Sequence, residues 1–115
     1  VPKTDYRLDN KAEVLALRIG AEPVAIAARF LEGNPVFRFE ASGRSFLVLT
    51  SPQGANRVYD ATGLAPSRPL PERYRATEDA LVPLDGQGAP LPRVAARRAF
   101  WFGWVAQYPA TRLVK

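Results

Sequence analysis

Residues 97–109 read RRAFWFGWVAQYP, and both tryptophans of the chain fall with two of its six phenylalanines into five consecutive positions, 100–104. On a helix turning about 100° per residue, Phe100, Trp101, Trp104, Val105 and Tyr108 gather into an arc of about 140°. Ala99, Gly103 and Ala106 lie opposite, small enough to let another backbone approach, with Phe102 an outlier; Pro109 ends the run. Burying one large apolar side chain stabilises by roughly 1.5–3 kcal/mol. The whole face is then worth about 10 kcal/mol, comparable to the net stability of a domain. Left in water it would be an adhesive patch. The spacing therefore predicts an amphipathic helix over 97–109 packed on a sheet. A partner surface and a base-stacking platform are the alternatives. Stacking modules, however, interleave aromatic and basic residues on a sheet face, whereas here they share one helix.

The first sixty residues supply strands for such a sheet. The polar, turn-rich residues 1–12 read as an extended lead-in. EVLALRIG alternates Leu15, Leu17 and Ile19 against Val14, Ala16 and Arg18, the pattern of a strand with one buried face. GAEP turns the chain into VAIAA, completing a hairpin. RFLEGNP is either one helical turn ended by Gly33 or an irregular loop. PVFRFE places Phe37 and Phe39 inward, ASGR turns at Gly43, and SFLVLT, apolar on both faces and holding Phe46, reads as a central strand. RVYD follows across the SPQGAN turn, so residues 13–60 read as a meander of about five strands. Residues 61–96 hold more than half of the eleven prolines, which excludes long regular elements and leaves short strands. The expected fold is one α+β domain over 1–115: a curled antiparallel sheet or partly open barrel, with the helix packed against Phe37, Phe39, Phe46 and the leucines.

The chain contains neither histidine nor cysteine. Disulfides, thiol nucleophiles and thiolate metal sites go with cysteine. The usual zinc and copper ligand sets, the Ser-His-Asp triad and the default acid/base group near neutral pH go with histidine. Carboxylates remain. Glu78 and Asp79 are adjacent and diverge on either a strand or a helix, while Asp60 and Asp85 fall in turns. No EF-hand spacing joins them, so no catalytic residue, metal site or cofactor is expected. SPQGANR is a hairpin turn rather than a phosphate loop, because it lacks the G-x-x-x-x-G-K-[ST] spacing.

Sixteen basic against eleven acidic residues give a net charge of +5, and thirteen of the sixteen are arginine. Arginine favours planar, bidentate contact with carboxylates or phosphates. Most of the arginines are scattered; only Arg68, Arg73 and Arg75, and Arg93, Arg97 and Arg98, cluster, and these six form the candidate anion-binding set. No run reaches the roughly 18 apolar residues of a membrane-spanning helix. No signal-peptide pattern is visible, yet the chain begins Val-Pro without methionine, which leads to the expectation of a piece of a larger protein or an exported, cell-envelope product.

RATEDALVPLDGQGAPLPRV running directly into RRAFWFGWVAQYPATRLV resembles the carboxy-terminal part of a prokaryotic family known as domain of unknown function 3179, whose members end in A-F-W-F-[GA]-W followed by P-x-T. SFLVLTSPQGANRVYDATG is similar to that family's repeated strand pattern, and VLALRIGAEPVAIAARFL to a weakened V-x-x-V-x-x-G-E-x-x-A-Y-P motif. The likeness covers most of residues 13–114 and is most specific over 77–113. Many members carry Y-C-P-x-C where this chain has TSPQGAN, with Ser51 and Gly54 near the cysteine positions. The resemblance implies a β-rich fold and frequent export or membrane association, with no settled activity and no catalytic residue to carry over. The expected role is a non-enzymatic accessory or binding domain that meets a protein partner or its own parent protein. A polyanion or nucleic-acid binder is the alternative, and a small enzyme using carboxylates and arginines is the third.

Overall fold

The computed structural model describes residues 5–64, 73–84 and 88–115. In chain order the elements are β1 (Glu13–Ile19), β2 (Glu22–Ala27), α1 (Ala28–Gly33), β3 (Val36–Ala41), β4 (Arg44–Thr50) and β5 (Asn56–Asp60). They continue with β6 (Tyr74–Ala76), β7 (Ala80–Pro83), β8 (Leu91–Val94), β9 (Arg97–Phe100), α2 (Trp101–Gln107) and β10 (Arg112–Val114). The strands form two sheets, ordered β10-β2-β1-β9 and β3-β4-β5-β8-β7-β6, and neither closes into a barrel. All pairings are antiparallel except β10 on β2.

The hairpin turns follow their residues. Gly20 takes φ +59° in the two-residue link between Ile19 and Glu22. Ser42 and Gly43, at φ 51° and 73°, make the tight turn that lets β3 and β4 pair from Ala41 and Arg44 onward. Ser42 Oγ also contacts the Ile19 carbonyl at 3.3 Å and the Glu22 carboxylate at 3.2 Å, tying one hairpin to the other.

Alternation then assigns the faces. Leu15, Leu17, Ile19, Val24 and Ile26 from the first sheet meet Phe39, Ala41, Phe46, Val48 and Val58 from the second, with Leu31 of α1 among them. Phe30 meets Phe37 edge-on at 4.9 Å, and the rings of Phe37, Phe39 and Phe46 stack in succession at 6.1 and 5.3 Å. The RFLEGNP segment is thus helical at its start, because Leu31 has a core to enter. The apolar back of β4 is covered as a central strand's must be: Leu47, Tyr59 and Ala61 pack against Leu81 of β7 and Leu91 of β8.

Four sequence-based expectations need correction. First, β1 is buried on both faces, since Val14 and Ala16 pack with Ala25 against Trp101, Trp104 and Val105. Second, α2 accordingly lies on the outer side of the first sheet and not on Phe37, Phe39 and Phe46, whose face is already filled by β1 and β2. Third, the helix begins at Trp101. Arg97–Phe100 is a strand because β1 offers an open edge, and pairing Ala16 with Arg97 through Glu13 with Phe100 satisfies both backbones. Phe100 therefore leaves the core and is 53% exposed, stacked on the equally exposed Phe102, while Gly103 faces open space. Fourth, the described part of the lead-in, residues 5–12, is folded, not extended, over α2. Trp101 and Phe102 donate their backbone N–H groups to Ala12 and Asn10, Leu8 enters the core beneath, and Trp101 Nε1 donates to the Asp5 carbonyl. Residues 10–12 thus serve two donors that a helix start leaves unpaired.

After Pro109 the chain turns so that Thr111 is buried and its hydroxyl accepts the Trp104 indole N–H at 2.8 Å. Among these residues Trp101→Ala is expected to cost about 3–5 kcal/mol in urea denaturation. Thr111→Val, which strands a buried indole donor, should cost about 1–3 kcal/mol, whereas Phe100→Ala should stay within about 0.5 kcal/mol.

Candidate functional site

On β1 the residues facing α2 are Val14, Ala16 and, at the open end, Arg18. The antiparallel register places Arg97 of β9 directly beside Ala16 on the same face. Two arginines thereby flank one alanine. The Arg18 guanidinium lies over the Tyr108 ring at 5.4 Å and that of Arg97 over the Trp104 ring at 5.7 Å, while the two rings are themselves 4.4 Å apart. Ala95 and Ala96, linking β8 to β9, complete a recess of about 270 Å³. Neither Arg18 nor Arg97 has a carboxylate within ion-pair distance among the described residues. Cation–π contact at an exposed site is worth about 0.5–1 kcal/mol, enough to bias a long side chain toward one orientation without using up its N–H donors.

Of the six arginines singled out by clustering, the five described are not brought together. Arg68 lies outside the described residues. Arg73 and Arg75 sit at and before β6, on the edge of the six-stranded sheet, and Arg93 stands exposed on β8 opposite Tyr59. Arg98, next to Arg97, points to the other face of β9. It donates to the Gly54 carbonyl at 3.1 Å and to Asn56 Oδ1 at 3.0 Å, and pairs with Glu13 at 3.5 Å, so it fastens β9 to the β4–β5 hairpin. Among the five described, only Arg97 lines the recess. Arg18 was missed, although EVLALRIG carried its signal: it shares the alternation of Val14 and Ala16, opposite the leucines.

The described acidic candidates, Asp60, Glu78 and Asp79, lie away from this recess. Asp60 closes β5, accepting from Thr62 Oγ1 at 2.6 Å, from Thr62 N at 2.9 Å and from Arg44 at 2.6 Å. Its partial burial pushes the carboxyl upward, but the hydrogen bonds from Thr62 and Arg44 outweigh that and hold it below the usual carboxylate range. An apolar recess of about 350 Å³ adjoins it, lined by Leu64, Pro83, Pro90 and Leu91 among others, and Asp60 is the charged group lining it among the described residues. Glu78 and Asp79 are exposed in the β6–β7 turn, and Asp85 lies outside the described residues. Among the described residues no three His, Cys, Asp or Glu side chains converge to hold a metal, and no helix is long and apolar enough to cross a membrane.

Compared with known proteins, the chain matches the family model described as "Protein of unknown function (DUF3179)" over residues 1–111. It belongs to the DUF3179 family. No curated protein and no solved structure gave a match. The match extends through the lead-in, which the resemblance over 13–114 did not include, and the folding of residues 5–12 onto α2 gives a physical account of that. The structure likewise explains what the DUF3179-like ending does in this chain. In AFWFGW the two tryptophans enter the core, and in the following P-x-T the proline stops the helix while Thr111 receives the second indole. At Ser51 and Gly54 the turn is closed by hydrogen bonds: Gly54 N donates to the Ser51 carbonyl at 2.9 Å and Ala55 N to Ser51 Oγ at 3.1 Å, with Gly54 at φ +86°.

Because the folded carboxyl of Asp60 titrates lower than in the unfolded chain, its contribution is present above the ordinary carboxylate range and is lost as pH falls through its folded value. Between about pH 5 and pH 2 the wild type should lose stability more steeply than Asp60→Asn, measured by thermal unfolding across that range.

Proposed function

We propose that this chain is a non-enzymatic binding domain of a larger or exported prokaryotic protein, and that the recess between β1, β9 and α2 receives an anionic group. The observation that carries the reading is the pair of arginines, each laid over an aromatic ring and lacking a carboxylate partner among the described residues. A guanidinium held this way keeps its fork of N–H donors for an incoming oxyanion, and the hydrogen bonds so formed are the stronger, charge-assisted kind.

The polyanion alternative draws less support from the same residues. Trp101 and Trp104 are buried, so the rings offered to a base would have to leave the core. The five described arginines of the two clusters are also spread over β8, the two faces of β9 and the β6 edge instead of along one groove. A nucleic-acid interface would need several phosphates neutralised together, with affinity falling steeply as salt rises.

In a titration of the ¹⁵N-labelled chain with acetate or inorganic phosphate at low ionic strength, the Trp104 indole and Arg97 Nε–H resonances should shift saturably, at millimolar affinity or weaker. Arg18→Gln combined with Arg97→Gln should abolish the shifts while leaving the remaining spectrum unchanged. Binding of DNA that persists in that double variant would favour the polyanion reading, and wild-type spectra indifferent to both anions would remove the recess as a site.

A further inference from the structure

The recess also constrains what carries the anion. We propose that it takes the carboxy-terminus of a polypeptide ending in an apolar residue; this rests on the recess being an anion site. The exposed floor beside the two arginines is Ala95 and Ala96, so a group that reaches the guanidiniums also lies against apolar surface. A bare inorganic anion would leave that floor wet. An apolar residue with a terminal carboxylate satisfies both surfaces at once, the carboxylate oxygens accepting from Arg18 and Arg97 while the side chain covers the alanines.

Size decides between carriers of that chemistry. At about 270 Å³ the recess lies below the roughly 300–1,000 Å³ of pockets that enclose drug-sized ligands, so it houses about one residue. A long-chain free acid would leave most of its alkyl chain in water. A peptide places its last residue in the recess and keeps its upstream backbone solvated. A run of phosphodiesters calls for a longer line of cations than the two arginines that line this recess.

The experiment is a four-ligand titration of the full ¹⁵N-labelled chain, monitored at Trp104 Nε1–H and Arg97 Nε–H. The ligands are acetyl-Gly-Gly-Leu as the free acid, the same peptide as its carboxamide, octanoate and inorganic phosphate. The free-acid peptide is expected to bind most tightly, with amidation weakening it about tenfold or more. Arg18→Gln and Arg97→Gln should each weaken it comparably, whereas Arg57→Gln, which removes the same charge from an exposed position on β5, should not. Equal binding of acid and amide overturns the inference. So does octanoate outcompeting the peptide, which would assign the recess to free amphiphilic acids. Phosphate binding without peptide binding overturns the carboxylate carrier while leaving the anion site standing; silence from all four ligands removes both.

Discussion

Among the described residues, two of the three buried clusters are built around the β1–β2 hairpin, which is covered from both sides. Its leucine and isoleucine face is covered by the phenylalanine face of the second sheet, and its small-residue face by the two tryptophans of α2. The division of side chains suits the division of partners. Val14, Ala16 and Ala25 are small, so two bulky indoles can settle onto them, whereas the longer Leu15, Leu17 and Ile26 reach across to meet another sheet. Three contacts secure those two covers. Arg98 holds β9 to the β4–β5 hairpin, Arg112 of β10 donates to the Glu40 carbonyl on β3, and Thr111 fixes the Trp104 indole.

Much of this was legible in the sequence because period-two alternation is a local property. The strands of EVLALRIG, PVFRFE and SFLVLT lie where their patterns place them, and the both-sided apolarity of SFLVLT correctly marked a strand covered front and back. What was not legible was decided between elements. Arg97–Phe100 fits a helical wheel as well as a strand, and the choice was made by the open edge of β1, about eighty positions earlier in the chain. The same pairing turned Phe100 outward. Similarly, Val14 and Ala16 read as the solvent side of a one-faced strand until α2 had somewhere to lie.

The candidate site shows the same limit more sharply. Arginine clustering along the chain nominated Arg97 and Arg98 together, yet adjacent residues on a strand face opposite ways, so one enters the recess and the other fastens the two sheets. The partner of Arg97 is Arg18, brought beside it by register rather than by nearness in sequence. Both guanidiniums rest on residues of the aromatic segment, which serves two purposes through two surfaces of the same rings: Trp104 packs into the core and also carries a cation over its face.

The way the two ends of the described chain meet has a further consequence. Arg7 reaches the Thr111 carbonyl at 2.8 Å, Lys115 donates to the Arg7 carbonyl, and β10 lies parallel to β2. First and last segments therefore share one small region of the surface. Each of these segments holds the other in place, and fraying of either strips contacts from its neighbour.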